Sequence, residues 1–491
     1  MIAALVVAPI VIGLLLHFLP RRADATAKWI GVVVAVASLM VAAFVPAPDE
    51  TLAWLTRPAF PFVASFHVGL GHGLSFWLVL LTSLTTGCAL FATRAPRQRD
   101  FVAQMLILLG AMTGVFVARD LLLFALFWDL MLVPVFLIML GWSAGHRSSA
   151  WRYFIYNVAG GLGLLAATAA YGFITGSTDV LSVPVTYANG DPIAVFQPWI
   201  FVGFAVAFLV KTPIWPLHTW MPATYSDLPS PAVAVVSAVQ SKAGLYGFIA
   251  IAGLLFPHAM HAAGPLMVVL GTIGIVYGAF AALHQDDAKR VVAYSSLSHL
   301  GLILVAIFSF EPIALAGAIV YIIAHGLFSA ALFIVLGAIE QREETRSLAR
   351  LGGLGMRNPR LAGALAIASL AALGLPGLAG FSGEILILTG VFRSGGVWPT
   401  ALALVAVVLA AAYMLRIFQG MMHGPEIDDL PQRPDLGWIE GLALAPLVLA
   451  IVLVGVDPAP LAAIGATMPT AATVPAAPAT AAASHPRGVR S

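Results

Sequence analysis

Runs of about twenty apolar residues follow one another along almost the whole chain, separated by short segments where Arg, Pro, Gly and Asp collect. That is the length a helix needs to cross the hydrocarbon of a bilayer. The pattern predicts an all-α polytopic membrane protein of about 14 transmembrane helices. They start near Ile2, Trp29, Leu70, Phe101, Leu121, Trp151, Pro198, Val233, Gly264, Val291, Ile313, Leu361, Val397 and Trp438. The stretch Met1 to Pro20 lacks a basic segment before its apolar run, and no small-residue cleavage site precedes Arg21 and Arg22, so it reads as the first span. Beyond Asp457 the chain is rich in Ala, Pro and Thr, and residues 458–491 read as a disordered tail.

Basic residues set the orientation. One set of alternate loops carries Arg21, Arg22, Lys28, Arg94, Arg97, Arg99, Arg147, Arg152, Lys289, Arg290, Arg342, Arg346, Arg350, Arg357, Arg360 and Arg433. The opposite set carries Arg57, Arg119 and Arg393, with Arg487 and Arg490 in the tail. The first set is expected on the cytoplasmic side of a bacterial-type inner membrane, with both termini outside.

Composition narrows the chemistry. Of 491 residues 60% are hydrophobic and 9% charged, against roughly 25% charged in a soluble domain. The net charge of +2 is scattered through loops and does not suit nucleic acid. Cys88 is the only cysteine, which excludes a disulfide, an iron–sulfur cluster or a Cys-based zinc site within this chain. There is no nucleotide-binding glycine loop, nucleophile–base arrangement or metal-ligand cluster in the sequence. Redox cofactors are therefore expected in partners, and none in this chain.

Inside the spans a short set of polar groups remains: Asp129, Lys211, Lys242, Glu384 and Arg416, with His299 and His325. The chain has four lysines, and two of them are in this set. A charge at the centre of a membrane helix costs roughly 2.5–3.5 kcal/mol on insertion scales, so the set needs a compensating reason. Lys211 opens KTPIWPLHTWMP, where Pro213 and Pro216 break the arriving helix. Glu384 follows GLPGLAGFSGE, where Pro376 and Gly377 interrupt a second hydrophobic run.

Two interrupted helices five spans apart are the pattern of a transporter built from repeats. Asp129 in the fifth span has His299 in the tenth as its counterpart. An odd shift inverts the second unit, so residues 101–257 (helices 4–8) and 258–424 (helices 9–13) are expected to form two inverted five-helix repeats. Residues 1–100 supply helices 1–3, and residues 425–457 supply helix 14.

Carboxylates, lysines and histidines together suit protons. At 4 Å and an effective dielectric of 20, a carboxylate and an ammonium interact by roughly 4 kcal/mol, a thousandfold or so in proton affinity. Doubling the distance releases about half of that, which is close to the roughly 2.3 kcal/mol for moving one charge through 100 mV. A small shift between Asp129 and Lys211 would thus release a proton inward to Lys242, His299, His325 and Glu384. Each residue also has a plainer reading. A lysine near a helix end snorkels, and a lone histidine bonds a neighbouring helix. Arg416 and His423 read as interfacial anchors, and His218 and Trp220 as support for the first break or as part of proton uptake.

FWDLMLVPVFLIMLGW, KTPIWPLHTWMP, SKAGLYGF, DDAKRVVAYSSLSHLGLILVAIFS and GLPGLAGFSGEILIL, in this order, resemble the antiporter-like membrane subunits, and among them subunit M of NADH–quinone oxidoreductase, respiratory complex I. The resemblance runs from about Leu70 to Asp457. It implies a proton-translocating membrane-arm subunit beside sister antiporter-like subunits, with FMN, iron–sulfur clusters and quinone in partners of the respiratory chain. It makes Asp129 the acidic partner of Lys211, Lys242 the central lysine, His299 and His325 the connecting histidines, and Glu384 the terminal acid. Two departures stand out. The family usually has glutamate at position 129, and the shorter aspartate predicts a longer or water-bridged contact to Lys211. The segment PATYSDLPSPAVAVVSAV, with Ala223 and Tyr225, looks closer to hydrogenase and multi-subunit Na+/H+ antiporter relatives. A purely structural subunit, and a cytochrome with His299 and His325 as haem ligands, are the competing classes. Haem pockets do not call for two buried lysines and two buried acids, so the purified protein is expected to show no Soret absorption band.

Overall fold

A computed structural model describes residues 1–44, 50–51, 64, 66–70, 73–143, 147–180, 192–424 and 434–467. Arg57, Arg433 and the tail beyond residue 467 lie outside the described residues. The protein is mostly helical, and eleven of the described helices are long and apolar enough to cross a membrane. Three shorter apolar helices accompany them.

The helices sort by how much of their surface other helices cover. Pro312–Glu343 is buried along its whole spanning window, and Gln98–Val117, Ser230–Leu255 and Ala288–Phe308 nearly so. Asp24–Phe44, Val397–Met422 and Trp438–Val456 form the rim and bury about a third of theirs. Rim side chains such as Val33, Val408 and Leu453 face outward. Where lipid is the solvent, apolar exposure is free and polar groups turn inward. Small residues let the inner helices touch: a Cβ on Gly110 would lie 2.5 Å from the Val6 carbonyl of the Ile2–Leu16 helix.

Both predicted breaks are present. Pro192–Lys211 stops at Lys211, and helix resumes as Met221–Asp227. Pro213 has no N–H to give the Leu209 carbonyl, and the Ile214 N–H takes that place at 3.0 Å. The Val210 carbonyl, left over by this shift, accepts from the Trp220 indole at 3.0 Å. The second break separates Pro359–Ala372 from Ala379–Arg393. Here the Leu375 N–H reaches back to the Leu370 carbonyl at 3.0 Å, and Gly374 and Gly377 take φ of +79° and +89°. Gly377 packs against Gly455 of the rim helix Trp438–Val456.

Three expectations need correction. A two-stranded antiparallel pair, Glu50–Thr51 with His67–Val68, lies outside the spans. The tail does not begin at residue 458: Ala459–Thr467 is a helix, because its alanines favour one and Gly465 lets it press onto Ala316. Arg342 and Lys289, assigned to loops, are buried in helices. Arg342 makes a two-pronged pair with Glu440, at 3.1 and 2.7 Å, and Arg94 reaches the same carboxylate at 3.1 Å. This pair ties the rim helix Trp438–Val456 to the central helix. Removing one partner of a buried ion pair leaves an uncompensated charge. Arg342→Ala is expected to cost about 3 kcal/mol, read as a lower apparent unfolding temperature in detergent. The double replacement Arg342→Met with Glu440→Leu is expected to recover much of that loss.

Candidate functional site

Lys242 lies at the centre, with no exposed surface. Its helix is not regular there: Val236–Gln240 and Gly247–Ala252 are π-helical, on either side of Lys242–Tyr246. In the first π turn the Ser241 N–H bonds the Val236 carbonyl. The Ser237 carbonyl, one step further, is thereby open to side chains, and it accepts from Ser241 Oγ at 2.9 Å and from Lys242 Nζ at 2.5 Å. Lys242 Nζ is also 3.2 Å from Ser241 Oγ and 2.6 Å from His325 Nδ1. None of these partners is a carboxylate.

His325 stands on the fully buried central helix, and beyond it the groups continue. The His299 ring crosses that of His325 edge to face, with centroids 5.5 Å apart. Tyr321, one turn before His325, lies 5.7 Å from the His299 ring and donates from its hydroxyl to Glu384 Oε1 at 2.9 Å. His299 and Glu384 also line one small cavity, with Ser298, Ile275, Ala403, Ala406 and Ala410. Among the described residues neither nitrogen of His299, nor Nε2 of His325, has a hydrogen-bond partner.

Lys211 and Asp129 form the other end. Lys211 is 1% exposed, so it does not snorkel. Its Nζ is 3.4 Å from the Trp128 carbonyl and 4.9 Å from the centre of the Trp128 ring, a cation–π arrangement. Among the described residues no ion pair within 4.0 Å joins it to Asp129. Asp129 is half-buried and lies directly against Gly161, where a Cβ would meet Asp129 Oδ1 at 1.9 Å. Glu384 has a matching seat, with Oε2 2.2 Å from a Cβ built on Gly374. His218 is buried just past the first break, with its ring 5.2 Å from Tyr277 and its Nδ1 unpartnered among the described residues. Pro213, Pro216, Pro376 and Gly377 occupy the two breaks as expected. Arg416 is exposed and bonds the Leu283 carbonyl, which suits an anchor.

The structure thus gathers Lys242, His325, His299 and Glu384 into one buried row, and sets Lys211 with Asp129 beside the first break. Four residues escaped the sequence reading. Ser237 and Ser241 precede Lys242 in a segment whose π geometry carries no sequence signal. Tyr321 was findable, since YIIAH puts it one turn from His325 on the same face. Lys289 is paired with Glu340 at 2.7 Å in a nearly closed site, and Arg346 joins Asp287 at 3.2 Å next to it. The run of basic residues around them disguised this cluster as a loop. No group of three or more His, Cys, Asp or Glu suited to a metal ion occurs among the described residues.

Residues 118–410 match the family model described as NADH:quinone oxidoreductase/Mrp antiporter, transmembrane. The NADH-quinone oxidoreductase subunit M of Pseudomonas aeruginosa is 36% identical over 417 residues, covering 81% of this chain and 80% of the relative. An NAD(P)H-quinone oxidoreductase chain 4 of Trichormus variabilis is 33% identical over 482 residues, covering 93% and 88%. Among solved structures, a chain of respiratory complex I from Thermus thermophilus with bound NADH superposes with a TM-score of 0.82 at 30% identity, covering 95% of this chain and 98% of that one. On these matches, the chain belongs to the NADH:quinone oxidoreductase/Mrp antiporter transmembrane family.

Proposed function

We propose that this chain is a proton-translocating membrane-arm subunit of an NADH–quinone oxidoreductase. The observation that carries the reading is the buried row of Lys242, bonded to His325, then His299, whose ring lies 5.5 Å from that of His325, then Glu384, which lines one cavity with His299. A proton on Lys242 passes to His325 Nδ1 across 2.6 Å. Release from His325 Nε2 delivers a proton to His299, and the cavity that His299 shares with Glu384 leads it to the carboxylate. Tyr321 holds Glu384 in place by its hydrogen bond. Lys211, held over Trp128 and near Asp129, supplies the next proton to Lys242. No bond other than N–H and O–H changes, so this chain needs no redox group of its own. FMN, the iron–sulfur clusters and quinone belong to partner subunits, and sister antiporter-like subunits flank this one. The named quinone oxidoreductase relatives favour this reading over a separate cation antiporter.

The eleven long helices and three shorter apolar ones support fourteen crossings. The two breaks support inverted repeats over residues 101–257 and 258–424. Each is closed by an N–H that reaches five residues back, Ile214 to Leu209 and Leu375 to Leu370. The basic loops support a topology with both termini on the outer side of a bacterial-type inner membrane.

Two experiments test these statements. In inverted membrane vesicles energised by NADH, Lys211→Ala and Lys242→Ala are expected to abolish proton pumping while the complex still assembles. Asp129→Asn is expected to do the same. Pumping at the wild-type rate by any assembled lysine variant would remove that residue from the proton path. For orientation, alkaline phosphatase fused after Ser491 is expected to be active, and the same fusion in the loop after Glu343 inactive. The reverse result would invert the topology.

A further inference from the structure

Away from the relay, on the side of the basic loops, four helix ends meet around a cavity of about 200 Å³. They are the end of Leu74–Ala92, the end of Leu132–Trp142, the start of Ser230–Val235 and the last turns of Pro312–Glu343. Thr93, Arg94, Trp142, Ser230 and Glu340 line it. Thr93 leaves its helix in an extended conformation, and its carbonyl accepts from Lys28 Nζ at 2.9 Å and Gln98 Nε2 at 3.2 Å. Its hydroxyl has no partner among the described residues, and neither has that of Ser230. The two residues are 0% and 7% exposed, so bulk solvent does not satisfy them. Two unpaired hydroxyls on one cavity call for a guest that bonds both.

Charge narrows the guest. Glu340 is met by Lys289 at 2.7 Å and Arg346 at 3.6 Å. Glu440, close behind, is met by Arg342 at 2.7 Å and Arg94 at 3.1 Å. Arg346 is shared with Asp287, and Arg97 lies 4.7 Å over the Trp142 ring. In these contacts five cations face three carboxylates. Among the described residues Arg94 gives one nitrogen, Nη2, to Glu440, and its side chain is 60% exposed, so the rest of its fork is open. A guanidinium fork beside two hydroxyls is a donor set for phosphate oxygens.

The surroundings favour a phosphate that carries acyl chains. A narrow cleft adjoins the cavity, and Ser230, Pro231, Gly337 and Gln341 line both. Ala92, Ile334, Leu436 and Leu444 make its wall largely apolar. Leu444 belongs to the rim helix Trp438–Val456, whose Leu442, Leu449 and Leu453 are exposed. A chain leaving the cavity along this cleft therefore reaches the lipid without crossing a charge-lined surface. Basic pockets between membrane helices on the cytoplasmic side are a recurrent seat for anionic headgroups.

We propose that this cavity binds the phosphate of an anionic phospholipid from the leaflet that meets the basic loops, with Arg94, Thr93 and Ser230 donating to its oxygens. The inference is independent of the proton relay.

The test titrates the full chain, purified in detergent and stripped of lipid, with dioleoylphosphatidylglycerol, dioleoylphosphatidylcholine or inorganic phosphate, and counts bound molecules by native mass spectrometry. The wild type is expected to hold one phosphatidylglycerol well above the rest, and phosphatidylcholine more weakly. Arg94→Gln, and separately Thr93→Val with Ser230→Ala, are each expected to weaken that phosphatidylglycerol roughly tenfold, the scale of a lost hydrogen bond to a charged group. Glu440 keeps its two-pronged pair with Arg342 in the first variant, and the second keeps the side-chain shapes, so either decides the matter if the other folds poorly. Unchanged phosphatidylglycerol binding in both variants means the cavity holds water, and overturns the proposal. Phosphatidylcholine held as tightly as phosphatidylglycerol overturns the anionic assignment. Displacement of phosphatidylglycerol by an equal concentration of inorganic phosphate overturns the lipid as the source of the phosphate.

Discussion

A lysine ammonium in the middle of a membrane protein has to replace the hydration it lost, and the structure around Lys242 is arranged by that need. A carboxylate at contact distance would be the simplest solution, but it would hold the proton fast. At 4 Å such a pair is bound by roughly 4 kcal/mol even at an effective dielectric of 20. Lys242 is given a carbonyl, a hydroxyl and an imidazole nitrogen instead. The carbonyl is available only because the helix widens to a π turn just before the lysine. The imidazole is a base that can take the proton over. Solvation and an exit route are thus supplied by the same three contacts, and the buried central helix Pro312–Glu343 is in place to carry the histidine.

The broken helices follow from a related constraint. In hydrocarbon every backbone N–H and C=O needs a partner within the protein. A proline-induced break near the middle of the membrane is tolerable only where side chains and neighbouring segments close it. Trp220 does so for the Val210 carbonyl, and the rim helix packs on Gly377 at the other break. The breaks also allow titratable residues to leave the helix surface and meet groups from several helices. Lys211 ends one broken segment, and Glu384 lies in the second turn of the helix after the other break.

The sequence made the spans, the two breaks and the charged residues buried within the spans legible, because each depends on a local property. Apolar length, a proline in a helix and a charge in an apolar run can all be seen within twenty residues. What stayed hidden depends on partners far away in the chain. Arg342 was assigned to a loop because its partner Glu440 is 98 residues distant. Lys289 was misassigned in the same way, since Glu340 comes from another helix. The π turns around Lys242 leave no trace in composition. The tail helix forms because Ala316 offers a surface to Gly465, which no reading of residues 458–491 alone could supply. The shorter side chain of Asp129 did foretell a looser contact with Lys211, because reach is a local property as well.

The acids at the two ends share one more feature, and it bears on how motion is converted to proton transfer. Asp129 rests on Gly161 and Glu384 on Gly374, each so closely that a methyl group would not fit. A carboxylate pressed against backbone moves when the neighbouring helix or turn moves, and not by a free change of rotamer. A shift of one ångström from a 4 Å separation changes a carboxylate–ammonium interaction by roughly 0.8 kcal/mol at an effective dielectric of 20. That is about a third of the work of moving one charge through 100 mV. Helix displacements of an ångström or two are the ordinary scale of switching motions in packed helical proteins. Seating the acids on glycine therefore makes their positions follow small rigid-body movements of the neighbouring backbone.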